Sequence, residues 1–149
     1  MWIFGYGSLI WRPAFEHLEA ESARIDGFAR RFWQGSSDHR GVPGAPGRVA
    51  TLVEAPGSHV VGVAYRVSPS VATRVLSRLD HREKGGYARH RVELSMTEGR
   101  RAQGTLYLAT PENAHWLGPA PIEEMAAQIA SSVGPSGRND DYLLERRSV

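Results

Sequence analysis

RVATLVEAPGSHVVGVAYRV, residues 48–67, holds the pattern from which the fold is read. Two runs rich in β-branched and aromatic residues, 48–54 and 60–67, flank Ala55-Pro56-Gly57-Ser58, a turn-forming stretch, so the segment is expected to form a hairpin. In the second arm Val61, Val63, Tyr65 and Val67 fall on one face, while Gly62 and Ala64 leave the other face thin. A sheet with one thin face can curve tightly or close into a barrel, because nothing bulky holds its inner surfaces apart.

Working outward, residues 2–6 read as a short buried strand ending at Gly5 and Gly7, and 25–33 as a second strand. A loop dense in Gly and Pro spans 35–47. Ser68-Pro69 predicts a helix start, with Ser as cap and Pro in the first turn. Val71, Val75, Leu76 and Leu79 form the helix's apolar stripe, and Gly85-Gly86 should stop it. Residues 87–96 alternate, with Val92, Leu94 and Met96 inward against Arg91 and Glu93. A turn at Glu98-Gly99 leads to a strand over 104–109. Residues 121–133 predict an amphipathic helix, Gly134-Pro135-Ser136-Gly137 breaks it, and Asn139 caps a last short helix containing Tyr142. The expected class is α+β with a small curved or barrel-like sheet.

The bulk numbers fit one domain over residues 1–149, with 41% hydrophobic and 23% charged residues. A chain of this size buries roughly 68–70% of its unfolded surface. Net charge is +2, and the arginines fall in pairs (Arg30-Arg31, Arg100-Arg101, Arg146-Arg147) rather than in a run, which argues against nucleic-acid binding. Only Lys84 of the 18 basic residues is lysine. With no cysteine there is no disulfide, no Cys-metal site and no Cys nucleophile. No apolar stretch approaches the roughly 20 residues of a membrane helix, and no leader is evident, so a cytoplasmic location is expected.

Two segments could carry chemistry. Gly5-Tyr6-Gly7-Ser8-Leu9 follows a strand but lacks the third glycine of a dinucleotide fingerprint and the spacing of a Gly-x-Ser-x-Gly elbow. Its glycines suit a nest of N–H groups facing an anion or carbonyl, and equally suit a plain strand-ending turn. Asp80-His81-Arg82-Glu83-Lys84-Gly85-Gly86-Tyr87 sits where a helix ends. A carboxylate there can serve as a general base or belong to a solvated ion-pair cluster. Metal binding is disfavoured: His81 and His90 lack i, i+4 spacing, and Asp38-His39 is too short to close a site. Ser37, Asp38 and His39 are adjacent and cannot face one another as a triad.

Several blocks, in order and spread over nearly the whole chain, resemble the ChaC-type, glutathione-specific γ-glutamylcyclotransferases. They begin with MWIFGYGSLIW at 1–11 and continue with RFWQGS at 31–36, DHRGVPG at 38–44 and PGR at 46–48. GVAYR at 62–66, REKGGY at 82–87, LGPAP at 117–121 and the stretch from Gly134 through Tyr142-Leu143 complete the match. The resemblance implies a γ-glutamylcyclotransferase-like small mixed β-barrel flanked by helices. It implies cleavage of glutathione to 5-oxoproline and cysteinylglycine, with Glu83 as acid/base and no cofactor or metal. Substrate contacts from Ile3, Phe4, Gly5, Tyr6, Gly7, Ser8 and Leu9, and a further one from Tyr142, are implied in the same way. The partner is then the small molecule glutathione, with neither nucleic acid nor membrane, on a monomer or weak dimer. One departure is His81, where an aromatic residue usually precedes the Arg. Broader γ-glutamyl amide or amine cyclisation, and non-catalytic binding of a γ-glutamyl ligand, are the competing readings.

Overall fold

The computed structural model describes residues 1–83 and 87–145. Lys84 and the expected Gly85-Gly86 stop therefore lie outside the described residues. Five strands close a barrel in the order β1-β3-β2-β4-β5: β1 Trp2–Gly5, β2 Glu19–Ser36, β3 Gly47–Arg66, β4 Ala88–Met96 and β5 Arg101–Leu108. Neighbours run antiparallel except at the seam, where β1 lies parallel to β5 with Trp2 opposite Gly104. Among the described residues three α-helices flank the barrel, α1 Ala72–Arg82, α2 Ile122–Ser131 and α3 Asn139–Glu145, and a two-residue ladder, β6 Val133–Gly134 with β7 Gly137–Arg138, links the last two. Among the described residues, no helix is long and apolar enough to cross a membrane.

The expected hairpin at 55–58 does not form. Residues 47–66 are a single strand, and both of its halves pair with β2. Asp26 faces His59 while Phe28 faces Glu54, so Ala55, Pro56, Gly57 and Ser58 bulge out opposite Gly27 alone. Pro cannot donate to the ladder, and Gly57 takes φ 86°. The turn chemistry is real, but it bends one strand instead of reversing it.

The thin face points inward. Val60 and Ala64 are buried with Phe4, Ile25, Leu52 and Leu94, whereas Val61 is 48% exposed. A Cβ on Gly62 would come within 2.2 Å of the Gly5 carbonyl oxygen, so only glycine lets β1 approach β3 so closely. Strand alternation splits β1: Phe4 enters the barrel, and Ile3 faces a second cluster with Leu9, Val67, Val75, Leu79 and Tyr107, which fastens α1.

Two caps differ from expectation. The α1 helix begins at Ala72 with Val71 as its N-cap, and Ser68 instead closes a turn to Ser70 and Val71. Asn139 is fully buried and makes backbone-like bonds to β3: its Oδ1 accepts the Arg48 N–H and its Nδ2 donates to the Arg48 carbonyl, both at 2.8 Å. Asn139 is itself the first residue of α3, and these two bonds fasten the helix to the barrel.

Candidate active site

The strand β1 ends at Gly5, and a single 3-10 turn, Ser8–Ile10, follows. The Gly7 carbonyl accepts from Ile10 and the Ser8 carbonyl from Trp11 and Arg12, so the turn's carbonyls are used. The first N–H groups of any helical turn have no acceptor within it, which leaves donors at Ser8 and Leu9. A Cβ on Gly7 would sit 2.8 Å from the Tyr142 hydroxyl, so a side chain there would crowd that phenol.

Arg82 binds this turn to α1. Its NH1 donates to the carbonyls of Arg12 (2.7 Å) and Pro13 (3.3 Å), and NH2 to Ser8 Oγ (3.0 Å). The next residue, Glu83, ends the helix. Its N–H donates to the Leu79 carbonyl and its own carbonyl accepts from Tyr87 N–H, so the backbone is held on both sides of the carboxylate. The Glu83 side chain is 18% exposed, and Arg82 Nε stands 3.7 Å from Oε1, beyond hydrogen-bond distance. Burial therefore pushes the Glu83 carboxyl above its ordinary range; Arg82 opposes the shift and Asp38 adds to it.

Phenols share the cleft with the carboxylate. Tyr142 Oη accepts the Ala50 N–H (3.2 Å), Tyr87 Oη donates to the Ala50 carbonyl (2.9 Å), and Tyr6 Oη donates to the Tyr107 carbonyl (2.5 Å). Burial holds the Tyr6 and Tyr87 hydroxyls well above the usual phenol range, so both stay protonated at neutral pH. Trp11 meets the Tyr142 ring edge-on at 5.4 Å.

These groups bound a cleft of about 360 Å³. That volume lies near the lower end of small-molecule sites, which run roughly 300–1,000 Å³. Phe4, Tyr6, Gly7, Ser8, Leu9, Glu83 and Tyr142 all line it. Ile3 and Gly5 are not among the lining residues: the Ile3 side chain is spent on the α1 cluster, and Gly5 backs onto Leu9. The far wall is the end of β2 and the loop after it, residues 34–40, including Asp38 and Arg40. Reading the sequence gave these positions no individual role, because a loop dense in Gly and Pro does not announce which of its side chains turn inward. Among the described residues, no three His, Asp or Glu side chains are gathered as a metal site.

The chain matches the family described as ChaC-like protein over residues 1–148. It is 44% identical over 148 residues to the glutathione-specific gamma-glutamylcyclotransferase 1 of Danio rerio, covering 97% of this chain and 76% of that one. It is 42% identical to gamma-glutamylcyclotransferase 2-3 of Arabidopsis thaliana, covering 97% and 76%. Its backbone superposes with a TM-score of 0.93 on the crystal structure of a glutathione-specific γ-glutamyl cyclotransferase from yeast, at 34% identity, covering 99% of this chain and 85% of that one.

Proposed function

The chain belongs to the ChaC-like family, and from that premise we propose that it works as one domain, a γ-glutamylcyclotransferase that cleaves reduced glutathione to 5-oxoproline and cysteinylglycine. The observation that carries the mechanism is Glu83, a carboxylate fixed at a helix end, mostly buried and with no counter-charge at hydrogen-bond distance among the described residues.

The substrate brings its own nucleophile. Its α-amine attacks the γ-carbonyl carbon, the new C–N bond closes a five-membered ring, and the bond to the cysteinyl nitrogen breaks. Of the three protons on the starting ammonium, one stays on the ring nitrogen and two finish on the departing amine. Glu83 carries them in turn, first as base and then as acid. Positioned proton transfer of this kind is worth about 10²–10⁴-fold in rate. A raised pKa makes Glu83 a stronger base toward the ammonium and brings it nearer the working pH, where one carboxyl can serve as base and then as acid.

Donors on the Gly7–Leu9 side of the cleft, together with the phenols, supply the remaining help. They suit the glutamyl carboxylate or the oxyanion that develops at the γ-carbon. Holding the chain bent is a further large term, since well-oriented intramolecular attack reaches effective molarities of roughly 10⁵–10⁸ M. Tyr142 contributes its hydroxyl and ring edge to that confinement. No cofactor or metal enters this scheme, and we assign it to a cytoplasmic monomer or weak dimer. Incubating the purified protein with reduced glutathione should release 5-oxoproline and cysteinylglycine in equal amounts. Unchanged glutathione after prolonged incubation would overturn the reading.

A further inference from the structure

Arg40 is only 6% exposed, yet it lines the cleft. It is fixed from several sides. Its backbone N–H donates to Ser36 Oγ (2.9 Å), its NH1 donates to the Arg138 carbonyl (3.0 Å), and its guanidinium lies over the Tyr142 ring, 5.6 Å from the centroid. Among the described residues no carboxylate pairs with it, and its Nε and NH2 donate to none of them. Burying a guanidinium without a counter-charge is costly, and its planar fork matches the two oxygens of a carboxylate. A pre-positioned, buried cation on a ligand cleft points to a ligand that supplies the negative charge.

Glutathione carries two carboxylates, and the geometry distinguishes them. The glutamyl carboxylate shares a carbon with the reacting amine and must stay near Glu83 and the Ser8 turn. Tyr142 stands between that turn and Arg40: its hydroxyl abuts Gly7 and Ala50, while its ring face carries the guanidinium. Resting on the glutathione reading above, we propose that Arg40 receives the terminal glycyl carboxylate and so determines preference for γ-glutamyl peptides over γ-glutamyl amines and amides.

The experiment compares glutathione with its glycyl amide, which replaces only that carboxylate by a neutral carboxamide. Wild-type enzyme should favour glutathione by at least about 10-fold in kcat/KM, chiefly through KM, as expected for a hydrogen-bonded charge pair. In Arg40→Met the preference should collapse to near one, and Arg40→Lys, which keeps the charge but loses the fork, should fall between. The ratio is measured within each variant, so it does not depend on the folded fraction, and the wild-type comparison needs no variant. A wild-type ratio near one overturns the assignment. So does an Arg40→Met enzyme that loses both substrates equally, which would put the glutamyl carboxylate on Arg40. Turnover of neither compound by wild type overturns the glutathione reading, and the Arg40 assignment with it.

Discussion

Asp80 and Glu83 stand three residues apart at the end of α1, and their surroundings have little in common. Asp80 faces outward and is 42% exposed, yet it accepts two bonds from Arg89 (2.9 and 2.5 Å) and one from the Tyr107 hydroxyl (2.6 Å). Those hydrogen bonds, Arg89 first, hold its carboxyl below the ordinary range. Glu83 turns into the cleft and loses most of its water, and among the described residues its counter-charge is the distant Arg82, so its carboxyl is pushed up. The same functional group on one helix end is thus hydrogen-bonded as an anion at one position and buried without such bonds at the other, the setting that the proposed proton carrier needs. Hydrogen bonds that favour the anion make the first; burial without them makes the second.

Exchanging each carboxylate for its amide tests that contrast most directly. Glu83→Gln keeps the shape but cannot carry a proton, so kcat for glutathione should fall at least about 10²-fold while affinity changes little. Turnover within a few-fold of wild type would return Glu83 to a purely structural role.

A smaller effect should appear in pH profiles. Because the Glu83 carboxyl titrates above its ordinary value of 4.5, the acid limb of kcat/KM should lie above that value. The same shift has a stability consequence. Ionised and buried, Glu83 costs stability at neutral pH, and the cost fades as pH falls through its raised pKa. Glu83→Gln should therefore match or exceed the wild-type melting temperature at pH 7, with any gain gone below about pH 4.5. A gain that persisted in acid would locate the effect elsewhere.

Asp80 should give the smallest response, with the opposite sign. Asp80→Asn weakens three exposed bonds, a loss of about 1 kcal/mol after allowing for solvent screening, or a melting decrease of roughly 2–4 °C. Its depressed pKa means the contribution is present above pH 3.8 and lost as pH falls through the folded-state value, so the deficit should shrink in strong acid. Turnover should stay within a few-fold of wild type. A large loss of kcat in Asp80→Asn would erase the distinction between the two positions.

Much of this was legible in the chain. The alternation of Val92, Leu94 and Met96, and the small residues Gly62 and Ala64, point to an inward face and a tight barrel, and both hold. Glu83 was singled out by the motif resemblance alone, since a charged helix end beside glycines reads equally as a solvated ion-pair cluster. What escaped was long-range. Ala55-Pro56-Gly57-Ser58 has the chemistry of a reversal, but whether two strand arms pair with each other or with a third strand is decided by tertiary contacts. Ser68 and Asn139 have good cap chemistry, and a turn and a buried backbone pairing took them instead. Arg40 lies in a block that carries the resemblance, but its burial was not legible, since that depends on Tyr142 and Arg138 arriving from about 100 residues away.

The seam of the barrel has a consequence for how the molecule acquires its activity. The strands β2 and β3 are joined by a short loop and can zip early, whereas pairing Trp2 with Gly104 spans most of the chain. Closing so long a loop costs more entropy and rewards it late, so the β1–β5 contact belongs to the slow end of the folding reaction. The Ser8 turn follows β1 directly, and Arg82 clasps it only once β1 is seated. The chain should therefore be inert until its last step: in stopped-flow refolding, turnover should return with the slowest phase, and an earlier return would mean that the turn is set before the barrel closes.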